Sequence, residues 1–420
     1  MKADKNTEQK PEVVFLAFYT SLFFCGPWRN SIKLWMEKGY NASVFQLADP
    51  NNRKHKPMFG NGFVLNEIKG YYFITYFKEG LDRIFRVFKY LRLKKLANFG
   101  SEFFYVLASF YFIIACYIKA DKKKKYILIG SDPQGLLAAY LISRLKGSVL
   151  VYWSLELWIE NDLKDYFGQR IFKKIERWAN RKALCTIEFG EKRCELLRIE
   201  NDLPKDSMIS IPNSPLGEAE IKRNYYFNEK FDIPADKKII LYAGGLGGGF
   251  YGIKELLEHV DSWPVNSVLV LHSRVKSAIR RIEISNIIAK KRYKVYLDMD
   301  TMEYEQLPLI YSSCDIGLQV WKPININHKN PGLASGKVFH YLQAGVPLVV
   351  RKLNGYEEFV EGNGIGVCVD DMSTLGTAIE KILKDEERYK ENSIKVFNKF
   401  KFEDYHNKLF QVIEKATEGS

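Results

Sequence analysis

The chain has no cysteine pair at C-x-x-C spacing and no histidines at ligand spacing beside its six scattered cysteines, Cys25, Cys116, Cys185, Cys194, Cys314 and Cys368. That pattern excludes a zinc module and a disulfide framework, and the thiols read as small apolar core residues in a reducing compartment. Internal repeats and low-complexity segments are lacking too, which excludes solenoids and extended disordered arrays. No basic stretch is interleaved with base-reaching side chains on a recognisable motif, so a nucleic-acid reader is excluded. No strict G-x-G-x-x-G sits in a first β-α-β unit with an acid about twenty residues on, as a nicotinamide oxidoreductase requires. Long apolar runs are missing as well. The uncharged stretch "FFYVLASFYFIIACYI" (103–118) has sixteen residues, short of the ~20 of a spanning helix, and it reads as a buried or shallowly inserted helix. "VVFLAFYTSLFFC" near the start follows lysines but also Asp4, Glu8 and Glu12. With no small-x-small cleavage site after it, it reads as a first strand and not as an export signal.

Acid is the scarcer charge: 50 Asp and Glu against 63 Lys and Arg, a net +13. Residues 83–125 hold eleven of the cations and only Glu102 and Asp121 against them, which makes +9 of the +13. Charge so concentrated describes a patch for a polyanion or an anionic membrane surface. Within it, "RIFRVFKYLRLKKL" (83–96) puts Ile84, Val87, Phe88 and Leu91 on one helical face. Arg83, Arg86, Lys89, Arg92, Lys94 and Lys95 ring that face. A basic amphipathic helix of this kind suits the cytoplasmic surface of an anionic membrane; an ordinary solvated helix packed on a sheet has the same pattern.

What is present in quantity is alternation. After a polar N-terminus (1–12), β-rich apolar runs and amphipathic stretches take turns: "VVFLAF" (13–18), a helix over 28–38, "ASVFQLA" (42–48), "YILIGSD" (126–132), a helix over 135–145 and "SVLVYWS" (148–154). A second series follows "ISIPNSPLGEAEIKRN" (209–224). It comprises "KIILYAG" (238–244), a helix from 252, "SVLVLH" (267–272), a helix over 276–290, "KVYLD" (294–298) and "DIGLQVW" (315–321), then a helix from 336, "PLVVR" (347–351), "GIGVCV" (364–369) and a helix over 373–384. The pattern predicts an α/β chain of two doubly wound, Rossmann-like domains, 13–213 and 214–396, with a hinge near Pro212–Pro215 and a final helix over 397–420. Ligands of such sheets bind beyond the carboxyl ends of the strands.

Two loops stand out there. "YAGGLGGGFYG" (242–252) lets side-chain-free backbone at Gly244, Gly245 and Gly248 approach a phosphate or sugar and supply amides. "ASGKVFHYLQAGVPLVV" (334–350) places Ser335 and Gly336 at a helix start, where free amides bind anions, and Lys337 adds a positive charge; a plain αβ turn is the alternative. "DMD" (298–300) matches a D-x-D metal pair only literally, so no metal is expected.

"NPGLASGKVFHYLQAGVPLVV" followed by "YEEFVEGNGIGVCVDD" (356–371) resembles the donor half of GT-B glycosyltransferases, especially the family-4-like retaining group. "LPLIYSSCDIGLQV" (307–320) is similar to that group's helix-then-Asp strand, "IPNSP" (211–215) to its interdomain turn and "VYWSLELW" (151–158) to its acceptor-side stretch. "KFEDYHNKLFQVIEKA" (401–416) resembles the helix that crosses back to the first domain. The resemblance implies a hexosyltransferase-like enzyme that takes part in polysaccharide or glycoconjugate synthesis, while the scattered thiols and the basic patch place it in the cytoplasm, peripheral at the inner membrane face. Such an enzyme transfers a sugar from a nucleotide diphosphate sugar to a glycan or lipid-linked acceptor with retention and without an obligatory metal or other cofactor. The residues present that can hold the donor are Lys337 for the diphosphate, Arg274 or His272 in place of the group's Arg, His340 for a ribose hydroxyl or phosphate, and Glu357 or Glu358 for the ribose. For His340 the alternative is a structural role, and for the glutamates an exposed surface. Asp132 and Glu156, ending strands of the first domain, are the candidates to orient or deprotonate an acceptor hydroxyl, or else to cap helices. The chain departs from the group at four places. Gly245 and Tyr251 stand where an Arg and a Lys usually clamp the diphosphate, and Gly332 and His340 where two glutamates recur. Those departures motivate one alternative, a non-catalytic glycosyltransferase-like partner subunit.

Overall fold

The computed structural model describes residues 10–18, 21–23, 25–48, 59–69, 94–145, 148–246, 252–273, 278–291 and 294–418. The chain divides into two compact units, Met1–Ile211 with Tyr405–Ser420, and Pro212–Asp404.

The first unit is built on seven parallel strands, β1 (Glu12–Ala17), β2 (Ala42–Leu47), β3 (Phe63–Ile68), β4 (Tyr126–Ser131), β5 (Val149–Trp153), β6 (Cys185–Glu188) and β7 (Met208–Ser210), in the order β3-β2-β1-β4-β5-β6-β7. Val13 through Ala17 are all within 2% of full burial. A strand covered on both faces is continuously apolar, which is why "VVFLA" shows no alternation. The order reverses between β1 and β4, and that switch point opens a crevice beyond the strand ends. The helix Asp132–Ser143 starts there. It lies so close to β1 that a Cβ on Gly135 would collide with the Leu16 carbonyl.

Sequence reading placed helical segments at 83–96 and 103–118, and the structure has one continuous helix, Lys94–Lys119. Arg83, Arg86, Lys89 and Arg92 lie outside the described residues, and so do the side chains of Lys94 and Lys95. The final helix, expected over 397–420, begins at Phe402, after a separate helix Glu386–Lys399. From Tyr405 onward it belongs to the first unit. There His406 is fully buried, 2.7 Å from Ser31 Oγ, and Phe410 meets Trp35 edge-on at 4.5 Å.

The second unit has six parallel strands, β8 (Lys238–Ala243), β9 (Ser267–His272), β10 (Val295–Asp298), β11 (Ile316–Gln319), β12 (Leu348–Arg351) and β13 (Gly366–Val369), in the order β10-β9-β8-β11-β12-β13. Side chains alternate between two cores. Ile240, Tyr242, Leu269 and Leu271 serve one, and Ile239, Leu241, Val268 and Val270 the other. The helix Gly336–Gln343 is pinned to the second core by Tyr341. That ring occupies the space a side chain on Gly317 would need, and its hydroxyl donates to the Leu241 carbonyl at 2.8 Å.

Candidate functional site

Lys337 sits in the first turn of the helix Gly336–Gln343, half-buried, with its ammonium lodged against Gly244 beyond the end of β8. A Cβ on Gly244 would collide with Lys337 Nζ. The aromatic rings of Tyr242 and Trp321 flank the ammonium at 5.9 and 5.8 Å. Each such contact contributes roughly 0.5–2 kcal/mol but provides no counter-charge. Lys337 has no ion pair among the described residues, and desolvation lowers its pKa to about 8. An uncompensated cation thus stands beside the positive end of a helix, an arrangement that favours an anion.

This corrects one expectation about the glycine loop. The Gly244 amide donates to the His272 carbonyl at 2.9 Å and is spent within the sheet. What Gly244 contributes is its missing side chain. Gly245 accepts a hydrogen bond from the Tyr242 hydroxyl at 3.1 Å, and Gly248 lies outside the described residues.

The turn before the helix is fixed from below. Ser335 is buried and donates to Gln319 Oε1 at 3.2 Å, and the Gln319 amide donates to the fully buried Tyr356 hydroxyl at 2.6 Å. Asn213 binds the Leu333 carbonyl through its backbone and the Ala334 carbonyl through its side chain, both at 2.8 Å. Its amide group lies 3.1 Å from where a Cβ of Gly336 would stand. "IPNSP" and "LASGK", far apart in sequence, therefore build one turn.

The other donor-side candidates have definite partners. His272 Nδ1 is 2.6 Å from Asp298 Oδ2, and Lys230 bridges Asp298 and Asp300 at 2.6 Å each. Although burial opposes it, the bonds from His272 and Lys230 hold the Asp298 carboxyl below its ordinary range. The two acids of "DMD" are thus taken up by a lysine, and among the described residues no group of three or more His, Cys, Asp or Glu is placed to hold a metal. His340 stacks on Tyr311 at 4.9 Å with Tyr304 at its edge, and burial pushes its pKa down to about 4, so the ring is neutral. Glu357 is exposed and pairs with Lys352 at 2.6 Å; Glu358 is exposed beside it. Arg274 lies outside the described residues.

In the first unit, Asp132 is buried at the start of its helix with a left-handed φ of 58°. Such a conformation costs a non-glycine residue roughly 1–3 kcal/mol and clusters at functional sites. The cap position belongs to Ser131, and no side-chain cap bond forms. Glu156 follows β5. Its residue is open to solvent on one side while protein crowds the carboxyl. That desolvation, with Glu188 and Asp132 nearby, outweighs the pull of Arg193 and raises its pKa to about 7. Arg193 holds the segment in place, donating to Glu188 at 2.8 Å and to the Leu155 carbonyl at 3.3 Å. The structure therefore gathers Asp132 and Glu156 with Glu188 at the ends of three adjacent strands, and of these Glu188 is taken by Arg193.

Known proteins of like architecture carry this two-unit order. A sucrose-phosphate synthase from Thermosynechococcus elongatus superposes over 98% of this chain and 100% of its own, with 15% identity and a TM-score of 0.60. The Anabaena protein HepE in complex with UDP-glucose covers 97% and 100% at 12% identity and a TM-score of 0.61. A glycosyltransferase from Rickettsia africae covers 97% and 100% at 13% identity and a TM-score of 0.61. The fold is GT-B. Residues 322–410 also match the family model described as glucosyltransferase 3-like, C-terminal domain, while no curated protein matches the sequence.

Several residues around Lys337 and at the strand ends of the second unit escaped sequence reading. Tyr242, Trp321, Gln319 and Tyr356 carry no charge and lie within or just after apolar strands or next to more conspicuous acids, so only three-dimensional contact reveals them. Arg351 at the end of β12 is another. It pairs with Glu255 at 2.9 Å, donates to the Val320 carbonyl, and shares Glu255 with Lys322.

Proposed function

We propose that this chain is a glycosyltransferase that takes a sugar from a uridine diphosphate sugar and passes it to a glycan or lipid-linked acceptor. The observation that carries the reading is the Lys337 ammonium, desolvated, without a counter-charge and made accessible by Gly244. A diphosphate leaving group gains negative charge as the sugar departs, and a fixed cation with first-turn amides stabilises that charge without reorganisation or an obligatory metal. The likeness to HepE, whose structure holds UDP-glucose, supports the choice of nucleotide. On the acceptor side, Glu156 orients or deprotonates the hydroxyl, with Asp132 beside it. Retention of configuration rests on the resemblance to the retaining group, and proton NMR of the product anomer tests it. The partner-subunit alternative was motivated by four departures, Gly245 and Tyr251 for an Arg and a Lys and Gly332 and His340 for two glutamates; Lys337 supplies positive charge beside the glycine loop, which answers the first two.

Calorimetric titration of the full chain with UDP and UDP-glucose tests the proposal, together with release of UDP in the absence of acceptor. Lys337→Ala is expected to weaken binding roughly ten- to a hundredfold, as loss of a charge-assisted contact does. In the wild type, affinity falls as pH rises past about 8 and Lys337 loses its proton, whereas the variant shows no such fall. A wild-type protein that binds no common nucleoside diphosphate overturns the reading.

A further inference from the structure

The helix Lys94–Lys119 presents two faces. Ala108, Ser109, Phe112, Ile113 and Cys116 are buried against the first unit. On the other side Phe99, Phe103, Leu107, Phe110, Ile114 and Ile118 are exposed, Ile118 by 70%. Steps of four and three residues align them in one stripe about 28 Å long. The segment Phe99–Lys119 is long and apolar enough to cross a membrane, yet its inner face is committed to the protein while only 33% of its most apolar window is buried. A helix so divided lies along an interface and does not span it.

The stripe does not stop at one helix. Phe167 stacks on Phe99 at 5.2 Å, and Phe172 meets Tyr105 and Phe110 at 5.7 and 5.8 Å. The buried Glu102 carboxylate accepts the amides of Gly168 and Gln169, capping the helix Phe167–Asn180. That second helix therefore lies rigidly beside the first, and it exposes Ile171 and Trp178, the latter against Tyr140 of the helix Asp132–Ser143. Between these apolar groups stand exposed Arg170 and Lys174, neither in an ion pair among the described residues. The first helix runs out into Lys119, Lys122, Lys123 and Lys125, while Lys124 is taken by Glu12 at 2.9 Å. Monomeric proteins rarely leave so continuous an apolar surface uncovered.

We infer that this two-helix surface docks on an anionic lipid bilayer, the apolar stripe and Trp178 entering the headgroup boundary while Arg170, Lys174 and the lysine run meet lipid phosphates. Charge complementarity decides for lipid over a second copy of the chain: two such surfaces face to face would oppose cation to cation, whereas aromatic, aliphatic and basic residues together match an anionic interface.

The test is flotation of the full chain with phosphatidylcholine vesicles containing about one-third phosphatidylglycerol, and with phosphatidylcholine alone. The wild type is expected to float with the anionic vesicles. The double variants Phe103→Glu/Ile114→Glu and Arg170→Glu/Lys174→Glu are each expected to reduce the bound fraction at least roughly fivefold. Unchanged circular dichroism and monomeric elution on size exclusion accompany that result. Absence of wild-type binding to anionic vesicles, or equal binding by both variants, overturns the inference. A concentration-dependent dimer that Phe103→Glu/Ile114→Glu dissociates, without vesicle binding, also overturns it and assigns the stripe to a second copy.

Discussion

Gly244 and Lys337 are 93 positions apart in the sequence and form one device: the glycine has no side chain so that the lysine can reach past the end of β8. Gly244→Ala therefore displaces the ammonium with little backbone strain, since Gly244 is not among the positive-φ glycines. The expected outcome is a UDP affinity roughly tenfold weaker with an unchanged urea midpoint; equal affinity would remove Gly244 from the site. Glu156 supports a second prediction. Its pKa stands raised from 4.5 to about 7, so the folded state holds that proton more tightly than the unfolded chain. The stability it contributes is complete below about pH 4.5 and is lost as pH rises through about 7. The ionised form that a hydroxyl needs as its base appears over the same rise. Transfer rate is accordingly expected to climb as pH rises through about 7 and to fall again past about 8, where Lys337 loses its proton, and in Glu156→Gln to be low and without the climb. A variant that keeps the climb excludes the role.

Among elements, the parallel strands were the most legible. "VVFLAF", "YILIGSD", "KIILYAG" and "SVLVLH" appear as strands within a residue or so of expectation because burial on both faces demands unbroken apolar runs. Strands β3, β6 and β7 went unread. β3 is an edge strand whose residues are only partly covered, and β6 and β7 are four and three residues long, too short for a periodic signal. The helix Phe167–Asn180 was also passed over. It is strongly amphipathic and was legible in principle, and its exposed Ile171 and Trp178 give its outer surface a use. Conversely, His272 looked like a free ligand at a strand end until β10 brought Asp298 alongside it.

At the scale of the molecule, the closing helix shows how far the chain returns on itself. Leu409 and Ile413 are fully buried in the first unit, Phe410 lies on Trp35, and Lys38 pairs with Glu414 at 3.5 Å. Truncation after Lys401 removes this cover and is expected to destabilise the first unit by about 3 kcal/mol or more, the scale of losing several large core side chains. Urea unfolding followed by tryptophan fluorescence measures it, because Trp28, Trp35 and Trp153 are all buried in that unit. An unshifted midpoint would show the helix to be dispensable.

The sequence by itself determined the two doubly wound sheets, the glycine loop, the lysine-bearing helix start and the basic, apolar region near residue 100, because local periodicity and turn chemistry are written in neighbouring residues. Only the tertiary structure decided which of these features meet. It put Lys337 into the space left by Gly244, gave Asp298 and Asp300 to Lys230, set Glu156 near Asp132 and Glu188, and joined two helices into one apolar face. Each of those is a long-range contact, and charge, desolvation and proton affinity at a site depend on the groups that folding places around it more than on those that precede and follow it in the chain.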